Sequence, residues 1–230
     1  LQALRKQLEG RDFEFQETGN YEVFRPSDQA SFEACLDALL YLNRQLRSIT
    51  KLDNTFVSRD VEIGSLGFKG IKHLLLNKAE GSIYTGKMMR ELMRLAQAKD
   101  IRFLWGTAVD RLEYHPTKVD IICKNGIKLN GSQVILATNA FSLAFLPEIA
   151  LQPARNQVLV TSPIPNLACL GAFHMDKGYV YFRHVDDRIL IGGGRNLDTE
   201  GETTAEFGQT DQIRNYLIDL LKEHIVPETT

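Results

Sequence analysis

Apolar residues recur every three to four positions in some stretches of this chain and every second position in others, and the two periods separate helices from strands. The opening LQALRKQL reads as the end of an amphipathic helix that Gly10 stops. Over residues 28–47 a second helix is predicted behind Ser27 as its cap, with Phe32, Leu36, Leu39, Leu40 and Leu46 on one stripe. Thr85 caps a third, in which Met88, Met89, Leu92, Leu95 and Ala96 face one way, and Thr210 opens a last one carrying Ile213, Leu217, Leu220 and Leu221. The strand period appears first at Phe13 and Phe15, turns at Gly19-Asn20 and resumes with Tyr21, Val23 and Phe24, which predicts a hairpin. IRFLWGTAVDRLEY, from Ile101, reads as strand, bend, strand. KVDIICKNGIKLNGSQVILAT reads as a three-strand meander with Asn125-Gly126 as a hairpin turn. RNQVLVTSPI is a strand closed by Pro163, and GYVYFRHVDDRILIGGG is a hairpin turning at Asp186-Asp187. Residues 50–80, with glycines at 64, 67 and 70, read as loops with short strands.

Helices and strands alternate without a steady βαβ rhythm, so the expected class is α+β with a mixed sheet. At 230 residues the chain can bury a sizeable core as one large or two small domains. Its 27 basic and 29 acidic residues leave a formal charge of −2, which gives no general attraction to nucleic acid or to an anionic membrane. No apolar run is long enough to span a bilayer. Cys35, Cys123 and Cys169 are widely spaced with no CxxC, as expected of reduced side chains in a cytoplasmic protein. The five histidines show no HxH or HExxH spacing, so no metal site is expected. The chain opens without Met and already helix-like, which marks it as an expected internal stretch of something longer.

Candidate chemistry starts at NGIKLNGSQVILATNAFS, residues 125–142. An apolar strand that ends in Ala137, Thr138 and Asn139 lets backbone approach a ligand closely, because small side chains leave room beside the following turn. Taken by itself, this is better read as a core strand running into a loop. IGGGRN, from Ile191, is glycine-rich but lacks the strand–turn–helix order of a phosphate cradle, so it reads as a bulge or strand exit. LDTEGETTAEFGQTD, from Leu197, is an acidic, solvated loop.

The order of these stretches resembles the D-amino acid oxidase-like FAD-dependent oxidoreductases, the group of glycine oxidase, sarcosine oxidase and the D-amino acid dehydrogenases. EGSIYTGKMMRELMRLA, GTAVDRLE, GSQVILATNAFS, LQPARNQVLVTSPI and GYVYFRHVDDRILIGGGR carry the resemblance. It implies FAD as cofactor, and a substrate-binding domain over 1–79 and 150–230 with mixed sheet and flanking helices. Residues 80–149, helix plus meander, would then be an inserted portion of an FAD-binding domain. The implied activity is oxidation of the C–N bond of a small amine or amino acid to an imine, by hydride transfer to flavin.

Residue by residue, the resemblance places Val109 beside the adenine side of FAD. It matches Ala137, Thr138 and Asn139 to an Ala-Thr-Gly strand end, where Asn tolerates the left-handed backbone better than most residues. Arg155 and Gln157 match an Arg-x-Gln pair on the cofactor side; a pair knitting two domains together is the structural alternative. Tyr179 matches a tyrosine that faces substrate, and Tyr181 and Arg183 share its strand, two phenols and a guanidinium suited to an amine with a carboxylate. An aromatic face packed on the core is the alternative there. No catalytic base is implied. The family's glycine fingerprint and its C-terminal Trp-x-Gly strand are not found in these residues, so tight FAD binding by this stretch alone is not expected. A non-catalytic module on the same scaffold, kept open by Asn139 and Asn156 in place of glycines, is the alternative function, and an unrelated α+β binding domain is a third.

Overall fold

Seven strands form one mixed sheet in the computed structural model, which describes residues 6, 9–11 and 13–227. The helix predicted over the first eight residues lies outside those described, Lys6 apart. By its contacts the chain divides into two compact units, one of residues 1–91, 156–202 and 208–230, the other of 92–155 and 203–207.

The first unit holds the large sheet. Its strands are β1 (Asn20–Phe24), β2 (Phe56–Ser58), β3 (His73–Asn77), β7 (Gln157–Val160), β8 (Ala172–Met175), β9 (Val180–Val185) and β10 (Arg188–Gly193), in the spatial order β2-β3-β1-β8-β9-β10-β7. Among the described residues only β1 and β8 run parallel. The hairpin expected over residues 13–24 does not form: β1 pairs instead with β3 and β8, and the preceding segment makes a single bridge, Gln16 to Ser82. Local alternation identified the strand, but long-range partners decide its neighbours. The β9–β10 hairpin is present, with Val185 opposite Arg188 across Asp186-Asp187.

One face of this sheet is the main core. Val23, Leu74, Phe173, Met175, Val180, Phe182, Ile189 and Ile191 point to it and are each at most 2% exposed. Over them lies the last helix, α3 (Asp211–Leu220), with Ile213, Leu217 and Leu220, continued by the π-helical turn Leu221–Ile225. On the opposite face α1 (Gln29–Thr50) packs Phe32, Cys35 and Leu39 on Phe24 and Leu75.

Helix α1 departs from its predicted stripe. Leu40 is 72% exposed and Leu36 is also exposed, while Asn43 is buried. The amide of Asn43 answers both backbone groups of Phe56, Nδ2 donating to its carbonyl at 2.9 Å and Oδ1 accepting from its N–H at 2.7 Å. A buried polar side chain thus fastens the helix to edge strand β2. Asn43→Ala is expected to destabilise the protein by about 2 kcal/mol, since two backbone groups lose their partner, measured by urea denaturation; a change below ~0.5 kcal/mol would contradict this. Ser27 does not cap α1. A 3-10 turn, Pro26–Asp28, comes first, and Asp28 accepts the Arg25 backbone N–H at 2.9 Å.

Helix α2 (Thr85–Gln97) passes from the first unit's residues to the second's. In it Met88, Leu92, Leu95 and Ala96 are half-buried, whereas Met89 is exposed and Glu91, paired with Arg11, is buried.

The second unit contains a three-stranded antiparallel sheet, β4 (Val109–Tyr114), β5 (Val119–Cys123) and β6 (Lys128–Gly131). Asn125-Gly126 does turn β5 into β6, closed by the Cys123 N–H on the Ile127 carbonyl at 2.9 Å. The expected strands at 101–105 and 133–137 are absent; both runs lie outside any sheet, and Ile101 and Ile135 are 52% and 91% exposed. Short apolar runs of this kind need cover on both faces and a ladder partner, and neither finds one among the described residues. After the second run, Asn139–Ala144 forms a 3-10 helix.

Candidate functional site

Because side chains alternate along a strand, the residues between the core-facing ones on β1, β8 and β9 share the other face of the large sheet. Register sets Glu22 beside His174, and His174 beside Tyr181, in one row across three strands. Between this face and α1 lies a cavity of about 890 Å³, with Phe24, Cys35, Ala38 and Leu39 on its apolar side and Glu22, Asp176 and Tyr179 on its polar side.

The turn leading into β9 is built from left-handed backbone at three successive residues, Asp176, Lys177 and Gly178, with φ of 53°, 57° and 83°. Non-glycine residues hold such angles only where surroundings impose them. Here the Asp176 carboxylate accepts from the Arg25 guanidinium and from the Tyr216 hydroxyl. Arg25 in turn donates through Nε to Asp28 at 3.1 Å. Burial would lower the Arg25 guanidinium, but its bond to Asp28 and the charge of Asp176 leave it raised. Burial, then the bond to Asp176, pushes the Tyr216 phenol up to about 12.

Glu22 differs from its neighbours. Glu80 is satisfied by the amides of Asn20 and Asn77, at 2.9 and 2.7 Å. The Glu22 side chain makes no hydrogen bond or ion pair among the described residues. Burial, followed by the charges of Asp176 and Glu80, raises its carboxyl to about 7. In the same lining Asn20 Oδ1 is buried without a donor. Sequence reading passed over Glu22 because a lone acid in YEVF looks like the solvent side of an edge strand. Its burial follows from β8, which is distant in sequence, and from the way α1 folds back over the sheet.

The predicted residues fall in several places. Tyr179, 49% exposed, lines the large cavity. Tyr181 is half-buried; its ring lies over Gly192, where a Cβ would sit 2.5 Å from the phenol oxygen, and its hydroxyl accepts from Asn156 Nδ2 at 3.3 Å. The glycines of IGGGRN thus serve close approach of β9 to β10, the strand-exit reading. Arg183 donates to the Ile83 carbonyl at 2.6 Å, beside a much smaller recess. Gln157 is buried, with Nε2 donating to Glu202 and Thr210, and Oε1 accepting the Thr210 N–H at the start of α3. Those bonds knit β7 to α3.

In the second unit Val109 begins β4 beside a register shift, and Arg155 is half-buried. Ala137 and Asn139 are exposed, Thr138 shares a 2.9 Å hydrogen bond with Ser142, and Asn139 has φ 47°, the left-handed backbone expected of it. Glu113, His115 and Asp120 come within metal-ligand spacing, but Lys118 and His115 contact Asp120 and Arg111 contacts Glu113, so they form a surface ion-pair cluster. All three cysteines are free thiols, and no helix among the described residues is long and apolar enough to cross a membrane.

The chain is thus an α+β protein whose mixed sheet has one face on its own core and the other bordering a partly apolar, partly acidic cavity. The chain belongs to the FAD dependent oxidoreductase family (DAO), which it matches over residues 1–229. No curated protein sequence matches it. Among solved structures it is similar to L-proline dehydrogenase from P. horikoshii, with 14% identity and a TM-score of 0.70 over 97% of this chain and 59% of that one. Iminodiacetate oxidase from Chelativorans sp. BNC1 aligns with 14% identity and a TM-score of 0.72, covering 98% of this chain and 60% of that one. Glycine oxidase from Bacillus cereus ATCC 14579 aligns with 13% identity and a TM-score of 0.70, covering 97% and 60%. At such identities the likeness is one of fold. The chain spans about three-fifths of the length of these structures.

Proposed function

We propose that this chain is part of a cytoplasmic FAD-dependent oxidoreductase that converts the C–N bond of a small amine or amino acid to an imine. The observation that carries the reading is the cavity on the sheet face opposite the main core, lined by Tyr179 and Glu22, in a chain of this family. Residues 1–79 and 150–230 act as the substrate domain, and 80–149 belong to the FAD-binding domain.

On the cofactor side stand Val109, Ala137, Thr138, Asn139 and Arg155, with Gln157 as a positioning residue through its bonds to Thr210. The exposed small side chain of Ala137 and the left-handed turn at Asn139 fit close approach of a dinucleotide. Bound flavin supplies the acceptor for the hydride lost from the substrate carbon. This chain's own residues do the orienting: Tyr179 borders the large cavity, Tyr181 shapes the sheet face beside it, and Arg183 borders the neighbouring recess. Such groups act by holding the reacting carbon in position and by excluding water.

The test is expression of the complete reading frame that contains this chain, followed by anaerobic screening of amines and amino acids. A yellow protein whose visible flavin absorbance is bleached by at least one of them is expected. Bound flavin that no amine bleaches would favour the non-catalytic module, and a colourless protein would overturn the proposal that this member of the family uses FAD. The 230-residue chain alone is expected to bind FAD with a Kd above about 1 μM; a tighter titration would overturn that part of the reading.

A further inference from the structure

We propose that the cavity between α1 and the β1–β8 face binds an organic ammonium group, with Glu22 as its counter-ion and Phe24, Leu39 and Leu42 receiving the hydrocarbon part. That the ligand is the substrate rests on the function proposed above; the binding itself does not.

The argument is one of unanswered charge in a shaped space. Four carboxylates line the cavity, Glu22, Asp28, Glu80 and Asp176, against a single lysine, Lys177. Three are already answered. Asp28 takes Arg25, Asp176 takes Arg25 and Tyr216, and Glu80 takes the amides of Asn20 and Asn77. Around Glu22, register sets His174 of β8 beside it, the charges of Asp176 and Glu80 act on it, and its own charge reaches the Cys35 thiol of α1. None of these donates to it.

A half-buried carboxylate without a partner is costly in an empty cavity and becomes favourable when a cation arrives. The Asn20 Oδ1 atom, buried and lacking a donor, is a second acceptor in the same wall. An ammonium carries donors for both and a positive charge for one. A carboxylate-bearing ligand finds the opposite: Arg25 is committed, and the basic groups left in the lining, Lys177 and the His174 imidazole, are both exposed. The other half of the lining is hydrocarbon, from Phe24, Leu75 and the α1 residues Ala34, Ala38, Leu39 and Leu42. The site therefore selects a cationic head with an apolar tail, which narrows the substrate class from amino acids to amines.

The pH dependence has a defined sign. The Glu22 carboxyl is raised to about 7, so its charge, and with it the attraction for an ammonium, is lost as pH falls from 8 to 5, while an alkylamine stays cationic throughout.

Hexylamine, hexanol and hexanoate are titrated into the full chain by calorimetry at pH 8 and pH 5. Hexylamine is expected to bind at least about tenfold more tightly than either neutral or anionic analogue at pH 8, and to lose most of that advantage at pH 5. Glu22→Gln removes the preference for hexylamine and keeps hexanol affinity. Should Glu22→Gln fail to fold, Ala38→Trp, which fills the apolar side while leaving Glu22 in place, must abolish binding of hexylamine and hexanol alike. Equal affinity for hexanol and hexylamine, a preference that survives Glu22→Gln, or binding unaffected by Ala38→Trp would each overturn the proposal. Hexylamine binding of this kind, with no amine bleaching flavin in the complete protein, would leave the ammonium site standing and remove its role in oxidation. Bleaching by amines with no hexylamine preference in this cavity would do the reverse.

Discussion

Phe173→Ala is expected to lower the free energy of unfolding by about 3–5 kcal/mol, the usual cost of removing a large aromatic from a core that cannot collapse around the gap. The side chain is 1% exposed. It stacks on Tyr21 at 5.2 Å and on Phe182 at 4.8 Å, and Phe68 meets it edge-on at 5.2 Å. Three aromatic partners from β1, β9 and the loop before β3 therefore lose contact together, and offset or edge-on pairs contribute beyond their area. Its position adds to this. Strand β8 makes the sheet's single parallel pairing, with Tyr21 opposite Phe173, and this two-residue ladder joins the β2-β3-β1 half to the β9-β10-β7 half. Phe173→Leu, which keeps most of the volume, is expected to cost less than half as much. Guanidinium denaturation followed by tyrosine fluorescence and circular dichroism measures both. A loss below about 1 kcal/mol for the alanine variant would show that the two halves do not depend on this contact.

The parts of this fold that are legible in sequence are those whose pattern and partner are both local. The β9–β10 hairpin carries its alternation and its Asp186-Asp187 turn within fourteen residues, Val180–Gly193, and the Asn125-Gly126 turn does the same for β5 and β6. Strand β1 was recognisable as a strand, but its neighbours β3 and β8 lie about 50 and 150 residues away, beyond what a turn signal encodes. The run over residues 133–137 shows the converse. It reads as a buried strand, yet no described residue supplies the ladder, and Ile135 stands 91% exposed.

The site divides in the same way. The resemblance points to Tyr179, and alternation along its strand to Tyr181 and Arg183, but which cavity each borders depends on neighbouring strands. Arg183 turns to the Ile83 carbonyl and Tyr181 to Asn156. Gln157 illustrates a choice that sequence alone left open, since its amide is consumed at the start of α3. Glu22 carries no motif. Its importance comes from what is missing around it, a partner, and that is visible only once β1, β8, α1 and the Asp176 turn are assembled.

Arg25→Leu is expected to destabilise the protein by about 2–3 kcal/mol. Removing one member of a fully buried ion pair costs roughly 3–5 kcal/mol, and the discount here follows from exposure: the side chains of Arg25 and Asp176 are 22% and 17% accessible. The leucine retains the hydrocarbon packing, so the loss reports the guanidinium. That group holds two carboxylates from distant parts of the chain, Asp28 at the start of α1 and Asp176 in the turn before β9. Without it the Asp176 carboxylate keeps, among the described residues, only the Tyr216 hydroxyl, and the residue must still hold φ at 53°. Asp176→Asn separates the charge from the backbone, because Asn accepts the left-handed conformation as readily as Asp. In a double-mutant cycle by urea denaturation, Arg25→Leu and Asp176→Asn are expected to be coupled by about 1–2 kcal/mol, the pair costing clearly less than the sum of the two single changes. Strict additivity would mean that the turn is held by its own backbone. In that case the polar wall of the cavity, Asp176 and Tyr179 included, would keep its shape without Arg25.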